Sequence, residues 1–246
     1  MKLSGNTILI TGGATGIGLE MAKAFLKSKS TVIICGRRAE RLEQVKKDYP
    51  DIHVKTCDVA EEKDRLALVD WVIKNFSDIN VLVNNAGIQR DIDLVKGAED
   101  LKNKDDEIKI NLEAPIKLTA LMISHLLKQK ESAIINVSSG LGFVPSAKVP
   151  IYSATKAALH SYTMSLRHQL KNSGIKVFEV IPPIVDTELN PEGYTNRSSA
   201  PKADEFVVAV MKALENQTFE IGYGLTTNFN QASKADLDKV FQNMNR

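Results

Sequence analysis

Two cysteines in 246 residues, Cys35 and Cys57, are too few for a disulfide framework, and each ends or borders an apolar run, as reduced, packed thiols do. The four histidines are scattered, with no C-x-x-C or H-E-x-x-H pattern, so no metal site is expected. No apolar run approaches the roughly 20 residues that span a bilayer. No basic stretch followed by an apolar one and a cleavage site opens the chain, so a cytoplasmic location is expected. An excess of one charge is missing too. Lys+Arg total 32 and Asp+Glu 30, and the resulting +2 is too small and dispersed to favour nucleic acid or an anionic membrane as partner. The one stretch that looks basic, GRRAERLEQVKK (36–47), carries Glu40 and Glu43 among its cations and Leu42 and Val45 at helical spacing. Most of it reads as the solvated face of a helix. No repeat, low-complexity stretch or Pro/Gly-rich linker divides the chain, so residues 1–246 are expected to form one domain.

What is present is an ordinary globular composition, 43% hydrophobic and 25% charged. Short β-branched runs at 7–10, 31–35, 53–57, 81–84, 133–137, 176–181 and 219–224 read as strands. Helical patterns lie between them at 17–28, 38–48, 61–76, 104–129, 152–172 and 203–215. This alternation predicts an α/β fold, a doubly wound, mostly parallel sheet of seven strands with helices on both faces, three layers in all. Two segments break the rhythm. Residues 186–205 are polar and turn-rich, a candidate substrate lid, and residues 232–244 place Leu237, Val240, Phe241 and Met244 at the spacing of a short amphipathic helix. That helix is expected to pack on the domain or on a second subunit.

TGGATGIG (Thr11 to Gly18) follows the first strand and opens the first helix. Glycines there allow a tight turn and close approach of a pyrophosphate, toward which the amides of the helix start point. NNAG (Asn84 to Gly87) follows the fourth strand; its Ala-Gly pair lets backbone approach a ligand, and its amides can hold central strand ends in place. Ser139 closes the fifth strand, where the carboxyl ends of a parallel sheet form the ligand crevice. Tyr152 and Lys156, four residues apart in YSATK, share one helix face about 6 Å apart along the axis. A phenol beside an ammonium is a proton donor with a tuning cation: bringing a tyrosine from pKa about 10 to neutrality takes roughly three units, about 4 kcal/mol, which a nearby lysine helps supply.

The spacing T-G-x-x-x-G-x-G, with NNAG, the serine and Y-x-x-x-K, resembles the short-chain dehydrogenase/reductase family from Thr7 to about Tyr223. The resemblance implies a Rossmann-type fold. It implies cofactor-turn roles for Gly12, Gly16 and Gly18 with Ile17 beside the pyrophosphate, an adenine contact for Asp58 and Val59 in CDV, and cofactor contacts for Asn85, Ala86 and Gly87. Val185 and Thr187 match the family's nicotinamide-carboxamide contacts. Catalytic roles fall to Asn111, which holds a water relaying protons, Ser139, which hydrogen-bonds the substrate oxygen, Tyr152, the general acid/base, and Lys156, which also binds the nicotinamide ribose. At the end of the second strand, Gly36 stands where an acidic residue would hold a free ribose, and Arg37 and Arg38 follow. Guanidinium groups suit a 2′-phosphate, so NADP(H) is favoured over NAD(H), with Arg37 the preferred ligand.

Pro182-Pro183 replaces the family's usual Pro-Gly, which puts the lid geometry in question. VNNAGIQRDID, YSATKAALHSYTMSLRHQL and PPIVDTELN are similar to the DltE-type oxidoreductases of Gram-positive bacteria, a subgroup to which the double proline belongs. The expected function is interconversion of a ketone or aldehyde with an alcohol by hydride transfer. The alternatives are an NADP-binding regulatory or partner module linked to cell-wall D-alanylation without significant turnover, and a ketoacyl reductase. A mostly apolar pocket lined by Gln89, Leu141, Phe143, Val149 and Tyr194 would suit a small-molecule carbonyl or alcohol substrate. The family's habit of pairing two long helices implies a homodimer or homotetramer, with Ala154, Ala158 and Ser165 permitting close packing.

Overall fold

The short β-branched runs become strands because both of their faces are covered. In the computed structural model, which describes residues 1–102, 106–189 and 200–245, Ile8 and Ile10 of β1 (Thr7–Thr11) pack into one apolar layer and Leu9 into the other. In β2 (Thr31–Gly36), Val32 and Ile34 oppose Ile33 and Cys35 in the same way, and in β4 (Val81–Asn84) Val81 and Val83 oppose Leu82. A strand that is apolar on both sides reads as a continuous run rather than an alternating one.

With β3 (Ile52–Thr56), β5 (Ser132–Val137), β6 (Ile175–Ile181) and β7 (Glu220–Gly222) they form a seven-stranded sheet in the order β3-β2-β1-β4-β5-β6-β7, with every neighbouring pair parallel. Parallel neighbours need crossovers, and helices supply them. One face is covered by α1 (Gly16–Lys27), α2 (Ala39–Asp48) and α8 (Ala203–Glu215), which bury Phe25, Leu42 and Phe206 among others. The opposite face is covered by α3 (Glu62–Asn75), α6 (Ala114–Leu126) and α7 (Pro150–Gln169), through Leu68, Leu118 and Leu166. The chain winds outward from β1 to β3, then returns to β4 and winds outward the other way. The strand order reverses between β1 and β4, so the carboxyl ends there diverge and leave a crevice.

Two elements differ from the sequence expectation. The single helix expected over 104–129 is broken among its described residues. After α4 (Ala98–Leu101), the short helix α5 (Asp106–Ile108) runs into a π turn at Lys109–Glu113 before α6 begins. Pro115 has no amide for the Asn111 carbonyl and its ring crowds that carbonyl, so the ladder widens, with the Ala114 amide reaching back to Lys109. The last strand is shorter than the expected 219–224. A Cβ on Gly222 would lie 2.4 Å from the Thr226 carbonyl oxygen, so the chain has already folded back into the 3-10 turn Gly224–Asn228. Of the candidate lid, 190–199 lie outside the described residues. Its two ends are joined, the Asp186 amide donating to the Pro201 carbonyl at 3.1 Å beside a parallel bridge between Asp186 and Lys202.

The expected terminal helix is α9 (Lys234–Met244), started by Ser233, whose hydroxyl accepts from the Asp236 amide at 3.2 Å. Asn245 fastens its far end, accepting from the Ala147 amide at 2.6 Å and donating to the Pro145 carbonyl at 3.1 Å. Among the described residues no helix is long and apolar enough to cross a membrane. Phe25 is fully enclosed between α1 and the sheet, so Phe25→Ala should destabilise the protein by about 3–5 kcal/mol. Urea unfolding should show this as a lowered midpoint at unchanged slope, and an unmoved midpoint would contradict the packing of α1.

Candidate active site

The crevice begins where β1 and β4 are bonded at their ends. The Thr11 hydroxyl accepts from the amides of Asn85 and Ala86, both at 3.0 Å, and the Asn85 side chain donates to the Thr11 and Gly12 carbonyls at 2.9 and 3.1 Å. Gly12 has φ +64°, and a Cβ on it would stand 2.9 Å from the Ala86 Cα. A Cβ on Gly18 would stand 2.4 Å from the Gly12 carbonyl oxygen. No other residue fits these two positions, and the cradle they form opens onto the amino end of α1. It continues as a cavity of about 1120 Å³ lined by Gly16, Ile17, Asp58, Val59 and Gly87, and by Val185 and Thr187, of which Thr187 stands against Gly16. The Asp58 carboxylate accepts from the Ala60 amide at 3.0 Å and the Asp58 amide donates to Asp64 at 2.9 Å, which fixes the loop after β3.

The two arginines after β2 are differently engaged. Arg38 forks between Glu188, at 3.1 Å, and the Thr15 hydroxyl, at 3.2 Å, and Arg41 takes the other Glu188 oxygen at 3.2 Å. Arg37 is exposed at the cavity and makes no ion pair with any described residue. Glu188 and Arg41 were not foreseen. Arg41 belongs to the run read as a solvated face, and nothing in the sequence pairs it with a residue so far along the chain.

The other end of the cavity is set by β5 and α7. Ser139, nearly buried, starts the 3-10 turn Gly140–Gly142 by accepting from the Leu141 amide at 3.1 Å. That turn lies flat on α7, since a Cβ on Gly142 would be 2.9 Å from the Lys156 carbonyl group. Pro150 in the first turn of α7 gives up an amide that the helix does not need there. Tyr152 and Lys156 are both buried. The Lys156 ammonium donates to the Val137 carbonyl at 2.8 Å and lies 5.5 Å from the centre of the Tyr152 ring. Asn111, carried by the π turn, accepts from the Ile88 amide and donates to the Ile88 carbonyl, both at 2.9 Å, and reaches the Thr155 hydroxyl at 3.2 Å. A Cβ on Gly87 would sit 3.4 Å from the Asn111 oxygen and 3.7 Å from the Lys156 nitrogen, so the two side chains converge on that glycine.

Burial moves the two groups toward their neutral forms. The Tyr152 phenol is pushed up to about 12 chiefly by its removal from water; the Ser139 hydroxyl pulls it back and the Glu107 carboxylate adds to the rise. Lys156 is drawn down to about 8 by the same desolvation, opposed by the Glu179 carboxylate.

At the substrate end, Gln89 and Leu141 line the cavity as expected from the sequence. Phe143 does not; its ring lies on His160, with centroids 4.4 Å apart. Val149 is fully buried ahead of α7, and Tyr194 lies outside the described residues. Sequence reasoning missed Val144, Leu225, Phe229, Val240 and Met244, which form the apolar wall, and Arg90, forked on Asp106 at 2.7 and 2.8 Å. The spacing of Val240 and Met244 announced a helix but not its destination.

A dinucleotide cradle leading to a buried phenol and ammonium defines an NAD(P)-dependent dehydrogenase or reductase. The family described as short chain dehydrogenase matches residues 6–198, and the chain belongs to it. The chain is 47% identical, over 250 residues covering all of it and 98% of that protein, to the uncharacterized oxidoreductase DltE of Bacillus subtilis (strain 168). Its fold is similar to a short chain dehydrogenase from Burkholderia cenocepacia J2315 in complex with NADP, with TM-score 0.84, 25% identity and 99% of both chains covered. It is also similar to a short chain dehydrogenase/reductase from Burkholderia phymatum in complex with NAD, with TM-score 0.81, 19% identity, and 100% and 97% covered.

Gly18→Ala tests the cradle. The methyl group must displace backbone, at a cost of about 1–3 kcal/mol, so titration calorimetry should show NAD(P)H binding weakened by about tenfold or more. Unchanged affinity would place the dinucleotide elsewhere.

Proposed function

We propose that the protein interconverts a carbonyl compound and an alcohol, with NADP(H) as the preferred cofactor. The observation that carries this reading is the burial of Tyr152 beside Lys156 and Ser139 in the cavity that begins at the glycine cradle. When bound, the nicotinamide supplies or accepts the hydride. The Ser139 hydroxyl hydrogen-bonds the substrate oxygen and Tyr152 gives that oxygen its proton. The Lys156 ammonium stabilises the phenolate left behind. Asn111, bonded to both polar groups of Ile88, holds the backbone beside Lys156 in place.

Reduction suits this site at neutral pH. A phenol at about 12 is fully protonated, so the proton that a reduced carbonyl oxygen takes up is in place, whereas use as a base at pH 7 means overcoming about five pKa units, about 7 kcal/mol. That is more than an unburied tyrosine demands, and the added part is chiefly desolvation, with a contribution from Glu107. Arg37, at the cavity and without an ion pair among the described residues, supports the NADP(H) preference. The wall of Leu141, Val144, Leu225, Phe229, Val240 and Met244 suits a substrate with an apolar body. Assembly into a homodimer or homotetramer through α6 and α7 accords with Ala154 and Ser165 facing outward.

Tyr152→Phe should lower carbonyl reduction by about 10²–10⁴-fold while NADPH still binds. Retention of turnover across a panel of apolar ketones and aldehydes would remove the assignment. Arg37→Ala should weaken NADPH by about tenfold or more and leave NADH unchanged, as calorimetry with both cofactors would show. Equal weakening of the two would remove the phosphate role. Because Lys156 sits at about 8, its charge is present below that pH and lost above it. Reductive kcat/KM should therefore fall as pH rises past about 8, and a profile flat to pH 10 would contradict this.

A further inference from the structure

Tyr152, Lys156 and His160 follow at four-residue intervals and so share the face of α7 turned to the sheet. His160 has no part in the site described above. Its Nδ1 lies 2.8 Å from Oε2 of Glu179, a β6 carboxylate with no exposed surface, and Phe143 covers its ring. The other Glu179 oxygen, Oε1, has no hydrogen-bond partner among the described residues. A buried carboxylate left half satisfied destabilises a fold, and the histidine alone does not account for it.

The sheet register shows what this carboxylate is near. Glu179 aligns with Asn136 of β5, and the next β5 residue, Val137, gives its carbonyl to the Lys156 ammonium. Carboxylate and ammonium are thus anchored on adjacent strands one residue apart, with His160 one helical turn beyond Lys156.

We propose that Glu179, held by His160, is a positioning residue for the reaction, its buried charge keeping Lys156 an ammonium to a degree set by the protonation of His160. This rests on the roles of Tyr152 and Lys156 given above. When His160 is protonated the pair is neutral, and its field at Lys156 is that of a dipole; when His160 is neutral the full carboxylate charge remains. Rising pH therefore uncovers the Glu179 charge as Lys156 comes under pressure to lose its proton. The other charged groups around the imidazole are Glu220 of β7 and Arg167 of α7, which pair with each other at 2.8 Å. Near Tyr152 the remaining one is Glu107 of α5, which acts on the phenol. The Glu179 hydrogen bond holds His160 above its ordinary value despite burial.

The test is the ionisation of Lys156 itself, followed by the 13Cε shift in lysine-labelled, cofactor-free protein and assigned by the signal lost in Lys156→Met. Glu179→Gln keeps the shape and an acceptor for His160 but removes the charge. It should lower the Lys156 midpoint by about one pH unit or more. His160→Gln keeps a donor for Glu179 and removes the positive charge, so its midpoint should stand at or above that of the wild type. An unmoved midpoint in Glu179→Gln, or a fallen one in His160→Gln, overturns the proposal. If Glu179→Gln does not fold, His160→Gln decides by the same criterion. In the holoenzyme the falling limb of kcat/KM against pH should move the same way. Absence of carbonyl turnover in the wild type would remove the functional reading and leave the midpoints to decide this one; turnover with unmoved midpoints would remove this one alone.

Discussion

The hydrogen bond from the Lys156 ammonium to the Val137 carbonyl joins α7 to the end of β5, and the geometry of the cleft follows from it. A charge can be held in that dry position only if backbone comes close enough to replace water. One glycine makes room for this. Gly142 lets the turn after Ser139 lie against the backbone of α7, while the exit from β4 at Gly87 runs beside Lys156 and Asn111. A side chain at Gly142 would push the turn that carries Ser139 away from the helix that carries Tyr152 and Lys156.

The same dryness works against both ionisable groups, raising the phenol and lowering the ammonium. Desolvation therefore favours a neutral phenol next to a weakly held cation, so the phenol stays protonated at neutral pH. The carboxylates nearby act in the same sense, each favouring the protonated form of its neighbour: Glu107 the phenol, Glu179 the ammonium. The electrostatics of the site are thus written partly in β6 and α5, outside the motif residues.

Much of this was legible in the sequence. Runs such as TILI and VLVN are apolar on both faces, which specifies interior parallel strands, and the glycine turn, Ser139, Tyr152 and Lys156 converge because each sits at the carboxyl end of a strand or on the helix beside one. Pro115 signalled the broken helix, but the good helix formers around it concealed the signal. What was not legible depends on distant contacts. The end of β7 is set by Thr226, the orientation of Phe143 by His160, and the engagement of Arg38 and Arg41 by Glu188. Local propensity and periodicity carry no information about such partners.

The terminal helix contributes Val240 and Met244 to the cavity wall while being fastened, through Asn245, to the loop ahead of α7 rather than to the sheet. This part of the wall is therefore housed apart from Ser139, Tyr152 and Lys156. Drift in that last stretch of chain can resize the chamber without disturbing the strands or the buried phenol, so the width of the cavity and the arrangement of its polar end are free to change separately.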